Sequence, residues 1–211
     1  RHMFKGSLTD SNKKYNLRGP IVKPGKYSAS LYLIENGLTT KLSEKRNFEL
    51  KPIYESTLKG TSYEDYNKYV NEYFKIYNEV ASIEQKLKNI DEKVKILKIA
   101  IENTPINTQE LILDFHNLKN SLLSIKRKVF GNESKTEIGE KNLPTLFNRI
   151  RVASQGLSSS YGPTKLHIES LDMARLMSEE IKPLIKNLKN KGINSLEIKI
   201  KNIGGPVIIE D

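Results

Sequence analysis

The chain has 211 residues, 37% hydrophobic and 28% charged, and its 35 Lys/Arg against 25 Asp/Glu leave a net charge of +10. With no cysteine, disulfides, thiolate catalysis and cysteine-ligated zinc are excluded, and no apolar run approaches the roughly 20 residues of a membrane-spanning helix. The length suits one large domain or two small ones, and the charge is uneven: residues 1–60 carry 12 basic against 5 acidic side chains, residues 61–211 carry 23 against 20.

Arg1-His2-Met3 reads as a vector remnant and is left out of fold reasoning, so the natural start and its compartment signal are expected to lie outside this sequence. A basic segment follows, with Lys13, Lys14, Arg18, Lys23 and Lys26 and no acid among them. It is a candidate polyanion contact, the plainer alternative being a solvated surface. The near-neutral body, with Lys and Glu interspersed, argues against nucleic acid as a partner.

Gly19-Pro-Ile-Val-Lys-Pro-Gly-Lys-Tyr27 places turn punctuation ahead of an alternating run, Tyr27 to Ile34. Asn36-Gly37 supplies the positive φ angles of a tight hairpin turn, and further strands are expected over Leu38–Leu42 and Asn47–Ile53. The reading is a small antiparallel, β-sandwich-like unit over residues 4–60. Two or three strands alone are marginal, so added strands from residues 5–22 or support from helices are expected.

Near residue 61 the period changes. Thr61 or Ser62 with Asp65 signals a helix start. Tyr66, Tyr69, Tyr73, Ile76, Val80, Ile83, Leu87, Ile90, Val94, Leu97 and Ile101 then alternate spacings of three and four, a heptad seam. A helix this long demands a partner, and Leu111, Phe115, Leu118, Leu122, Ile125 and Val129 provide one. Pro105 marks the tip between them, and the short connection makes them antiparallel.

Gly131–Glu140 reads as a polar loop. A third helix is expected from Leu143-Pro144 to about Ser154 through Phe147, Ile150 and Ala153. A fourth runs from Thr164 to about Asn190 with Leu171, Ala174, Met177, Ile181, Leu184 and Leu188 inward. Pro183 should kink it, and Lys191-Gly192 should end it. The expectation is therefore an α+β, mainly α chain: a β unit, an antiparallel up-and-down helical bundle with one very long helix over residues 61–190, and a tail over 191–211 with an alternating segment, Ser195–Ile200.

Little in the chain points to catalysis. His116 and His167 are isolated on helices, and no zinc, calcium, phosphate-loop or serine-hydrolase motif is present. Gly204-Gly205-Pro206 lacks the strand–turn–helix setting of a phosphate loop. Met173 and Met177 read as core filling. No catalytic residue, metal or cofactor is expected. Tyr63, Tyr66, Tyr69, Tyr73 and Tyr77 crowd the start of the long helix. They could stack bases or sugars, but on or beside the seam they are read as packing the β unit against the bundle, with hydroxyls reaching water.

Three segments carry a family resemblance. Gly19 to Leu31 resembles a "GPxVxPGxYxVxL" strand motif. Gly139-Glu-Lys-Asn-Leu-Pro-Thr-Leu-Phe-Asn-Arg-Ile150 resembles an "LNxPxxLNxRL" segment, and Gly156 to Thr164 resembles the "ADxxPT" start of a last helix. In this order, over residues 17–190, the chain is similar to the C-terminal region of bacterial BNR-repeat, sortilin-like β-propeller proteins of Bacteroidota type, often labelled glycosyl hydrolase. It departs from them at Lys51-Pro52-Ile53, where an Asp-Pro-Arg type segment is usual. The resemblance implies a sandwich and bundle following a propeller outside this chain, and export to the periplasm or cell surface. Any active site would lie in that propeller, so no catalytic residue carries over. The expected role is a non-catalytic protein-interaction module that contacts its own propeller or an envelope protein, with Tyr63, Tyr66, Tyr69, Tyr73, Tyr77 and Pro105 as candidate contacts. The alternatives are part of a glycoside hydrolase and a basic polyanion-binding module.

Overall fold

The computed structural model describes residues 24–51, 60–105, 109–159 and 161–206. They fall into two compact units, Arg1–Glu55 and Ser56–Asp211. The chain is mainly helical, with a small antiparallel strand region ahead of the helices.

In the first unit, β1 (Gly25–Ala29) pairs antiparallel with β4 (Arg46–Leu50), and β2 (Tyr32–Glu35) pairs with β3 (Leu38–Lys41). Asn36 and Gly37 close the inner hairpin with φ of 51° and 80°, the left-handed pair that a type I′ turn requires. The single strand expected over Tyr27–Ile34 is interrupted. Ser30 and Leu31 stand opposite four residues, Leu42–Lys45, so the ladder cannot stay in register. The Leu31 N–H donates to Ser43 Oγ at 2.9 Å, and its carbonyl accepts from the Leu42 N–H at 2.8 Å. The described strands are thus two two-stranded ladders along one interrupted hairpin. Pro52 and Ile53 of the expected third strand lie outside the described residues.

In the second unit, α1 (Tyr63–Glu102) is a single 40-residue helix, about 60 Å at 1.5 Å per residue. Ser62 caps it: its Oγ accepts from the Asp65 N–H at 3.1 Å and donates to the Asp65 carboxylate at 2.7 Å. Every apolar position of the heptad stripe, from Tyr66 to Ile101, is buried.

The other helices complete a bundle of three legs. α2 (Gln109–Phe130) runs antiparallel to α1, as the Lys126–Asp91 pair at 2.9 Å shows. α4 (Leu146–Gln155) does not reverse direction as an up-and-down bundle would have it. It resumes the line of α2, with Phe147 packed on Phe130 at 5.1 Å and the Ala153 carbonyl meeting Tyr69. The reason is length: α2 covers about half of α1, and the long connection leaves α4 free to cover the rest. That connection is not a bare loop. It contains the short α3 (Glu133–Glu137), and Asn142 closes it, its Oδ1 accepting from the Asn132 N–H and its Nδ2 donating to the Asn132 carbonyl and Thr136 Oγ1. Thr145, rather than Leu143-Pro144, caps α4, accepting from the Asn148 N–H.

The third leg, α5 (Lys165–Asn187), runs parallel to α1, with Lys182 on Glu79 at 2.7 Å. Pro183 stays inside α5 on its exposed face. Lys191-Gly192 does not end the leg. The helix widens into a π turn, Leu188–Ile193, and continues as α6 (Asn194–Asn202), so the tail is helix packed in the core and Ser195–Ile200 is not extended. Two features explain this. Ile193, Leu196 and Ile200 are buried at helical spacing, and a Cβ on Gly192 would come within 2.6 Å of Leu118 Cδ1, so a glycine lets α2 approach. The true stop is Gly204-Gly205-Pro206. Gly204 takes φ of 75°, its N–H bonding the Lys201 carbonyl and that of Gly205 the Ile200 carbonyl, a Schellman ending. Leu184 is exposed and its neighbour Ile185 takes the core position instead.

Candidate functional site

The tyrosines of α1 separate into two groups. Tyr66, Tyr69 and Tyr73 are buried within the bundle. The hydroxyl of Tyr66 donates to the Leu157 carbonyl at 2.8 Å and that of Tyr69 to the Ala153 carbonyl at 2.6 Å. Their hydroxyls therefore reach protein carbonyls around the C-terminus of α4, where a helix leaves acceptors unmatched, rather than water. Burial pushes the Tyr69 phenol far above its ordinary range, and burial pushes that of Tyr73 up to about 12. Tyr63 and Tyr77 present ring surface to solvent, Tyr77 stacked on Tyr73 with centroids 5.8 Å apart.

Other expected positions are scattered. Pro105 is exposed at the tip, just beyond the buried Thr104, whose hydroxyl donates to the Ala100 carbonyl. Lys26 is exposed on β1, while Lys13, Lys14, Arg18 and Lys23 lie outside the described residues. His116 is exposed on α2. His167 Nδ1 accepts from the Thr164 N–H at 3.1 Å, a capping role at the start of α5.

Two surfaces stand out instead. The first is the inner hairpin, where Leu31, Tyr32, Leu33, Ile34, Leu38 and Leu42 are exposed, Ile34 and Leu38 by 67% and 73%. The second is a groove of about 570 Å³ between α1 and α5, floored by Ile83, Ile90 and Ile185. Lys86 and Lys93 of α1 with Lys182, Lys186 and Lys189 of the α5 leg line it, and no carboxylate does. Composition alone did not expose this groove, because its two walls are some 90 residues apart in sequence. The available signals were Lys86 and Lys93 seven apart on one helix, and Lys182, Lys186 and Lys189 at spacings of four and three on another.

Among the described residues no helix is long and apolar enough to cross a membrane. No protein-family model, curated protein or solved structure matches the chain.

Proposed function

We propose that the chain is a non-catalytic protein-interaction module of an exported, sortilin-like β-propeller protein, with the inner hairpin as its contact surface. The observation that carries this reading is the row of apolar side chains from Leu31 to Leu42 exposed along β2 and β3. A two-stranded ribbon is marginal by itself, and exposed apolar patches are what partner proteins cover. The order of the three resembling segments supplies the propeller context and the periplasm or cell surface as the place of action.

The test is capture from the envelope fraction of the native organism, with the whole chain as bait beside an Ile34→Asp/Leu38→Asp variant. A propeller-bearing protein identified by mass spectrometry with the unaltered bait, and lost with the variant, supports the reading. Equal capture by both baits removes the hairpin as the contact, and capture of no propeller protein removes the propeller context.

A further inference from the structure

We propose that the groove between α1 and α5 is a binding site for a phosphate-bearing anion. The inference goes beyond the protein-contact reading and does not depend on it.

Elsewhere on the bundle, several lysines are matched by carboxylates. Lys68 pairs with Glu64 and Asp65, Lys95 and Lys126 with Asp91, Lys98 with Glu102, Lys165 with Glu169, and Lys199 with Glu110 and Asp114. The groove instead gathers five lysines from two packed helices, with no carboxylate in its lining. Lys182 holds Glu79, but among the described residues Lys86, Lys186 and Lys189 form no ion pair. Like charges brought together on two packed helices repel one another at intermediate dielectric. An anion between them removes that repulsion and gains attraction to all of them.

The shape and side-chain type narrow the ligand. The lining on α1 runs from Ile83 to Lys93, about 15 Å of helix. A volume of about 570 Å³ suits a small ligand or a headgroup rather than a duplex, which needs an extended basic track. All five cations are lysines and none is arginine. Arginine presents a planar fork that matches carboxylate and phosphate alike, whereas lysine is a compact point charge with three rotatable donors. Several such ammonium groups lining one groove suit a charge-dense tetrahedral phosphate, which offers acceptor oxygens in several directions. The lysine stems can lie along the isoleucine floor while their heads close over the ligand.

Two probes separate the sources of phosphate: tripolyphosphate followed by titration calorimetry, and co-sedimentation with phosphatidylcholine vesicles with and without phosphatidic acid. The whole chain is compared with Lys86→Gln/Lys186→Gln/Lys189→Gln and with Lys68→Gln/Lys98→Gln/Lys165→Gln, which loses equal charge outside the groove. All substitutions are at solvent-exposed positions, and circular dichroism checks the fold. The expected result is saturable one-site binding, weakened about tenfold or more (roughly 1.4 kcal/mol) by the groove variant, while the control variant changes it little. Binding of tripolyphosphate assigns a soluble ligand, and binding only to phosphatidic acid vesicles assigns a lipid headgroup. The proposal is overturned by no saturable binding to either probe or by equal weakening in both variants. It is also overturned if a poly-glutamate peptide binds as tightly with the same groove dependence, which would make the site one for an acidic protein.

Discussion

The hydroxyl of Tyr69 lies 2.6 Å from the carbonyl oxygen of Ala153, joining residues 84 positions apart. The ring packs against Gly156, where a Cβ would come within 3.0 Å of the Tyr69 oxygen. A residue that the sequence offers as a partner contact is thus an internal tie between α1 and the end of α4.

Tyr69→Phe keeps the packing and removes one of two hydrogen bonds to the Ala153 carbonyl, which still accepts from the Gly156 N–H at 3.0 Å. The substitution should therefore lower stability by about 0.5–1.5 kcal/mol in urea titration. Tyr63→Phe, with an exposed ring, should leave the midpoint unchanged. An equal loss in both would refute the tie.

The buried phenols also set an alkaline limit. Burial raises the Tyr73 pKa from an ordinary 10.0 to about 12, so its contribution is whole below pH 10 and is lost as pH climbs through about 12. The stability of the chain should fall over that interval, and Tyr73→Phe should flatten the fall. An unchanged slope in the variant would place the alkaline sensitivity elsewhere.

At the acid end, the hydrogen bond from Lys126 to Asp91, opposed by burial and assisted by the charges of Lys126 and Lys95, holds the Asp91 carboxyl below its ordinary 3.8. A depressed carboxylate contributes above that value, and the contribution disappears as pH falls through the lowered one. Both side chains are about a third exposed, so the coupling should be at most about 1 kcal/mol. A double-mutant cycle with Asp91→Asn and Lys126→Met, run at neutral pH and at pH 2, should show this coupling only at neutral pH.

Ser178 is fully buried on α5, and its hydroxyl has no hydrogen-bond partner among the described residues. Ser178→Ala should therefore be neutral or mildly stabilising. Ser178→Leu forces extra volume into the packed face and should cost about 1–3 kcal/mol. Thermal melts of the two variants should move in different directions or by clearly different amounts.

Gly162, ahead of α5, has φ of 88°, and a Cβ there would come within 2.5 Å of the Thr61 Cβ. Gly162→Ala meets both a strained backbone and a clash, and should destabilise by more than about 1 kcal/mol. Gly139→Ala has a similar φ but open space around it. It should cost less, which separates the clash from the strain.

The long helix was legible because its stripe returns every three or four residues for ten turns, and the Ser62–Asp65 cap and the Asn36-Gly37 turn were legible because their chemistry is local. What was hidden depends on distant neighbours. Gly192 looks like a stop until Leu118 is seen to need the space, while Gly204-Gly205-Pro206, which lacks the setting of a phosphate loop, carries the stop in its own glycines and proline. Leu184 and Ile185 are equally apolar, and only the packing of the α5 leg decides which faces inward. The break at Ser30-Leu31 needs the four residues opposite, and the direction of α4 needs the lengths of α1 and α2 together. The lysine groove was invisible for the same reason, since interspersed Lys and Glu look alike whether or not their partners are in reach.

Two of the three legs, α1 and the α5–α6 run, extend along the bundle without a break, and the interruption in the remaining leg is bridged by α3 and Asn142. Bending such a rod would require opening the packing of both unbroken legs at once. The bundle is therefore a stiff spacer, with Pro105 at the tip and Ser62 at the opposite end set about 60 Å apart by the length of α1.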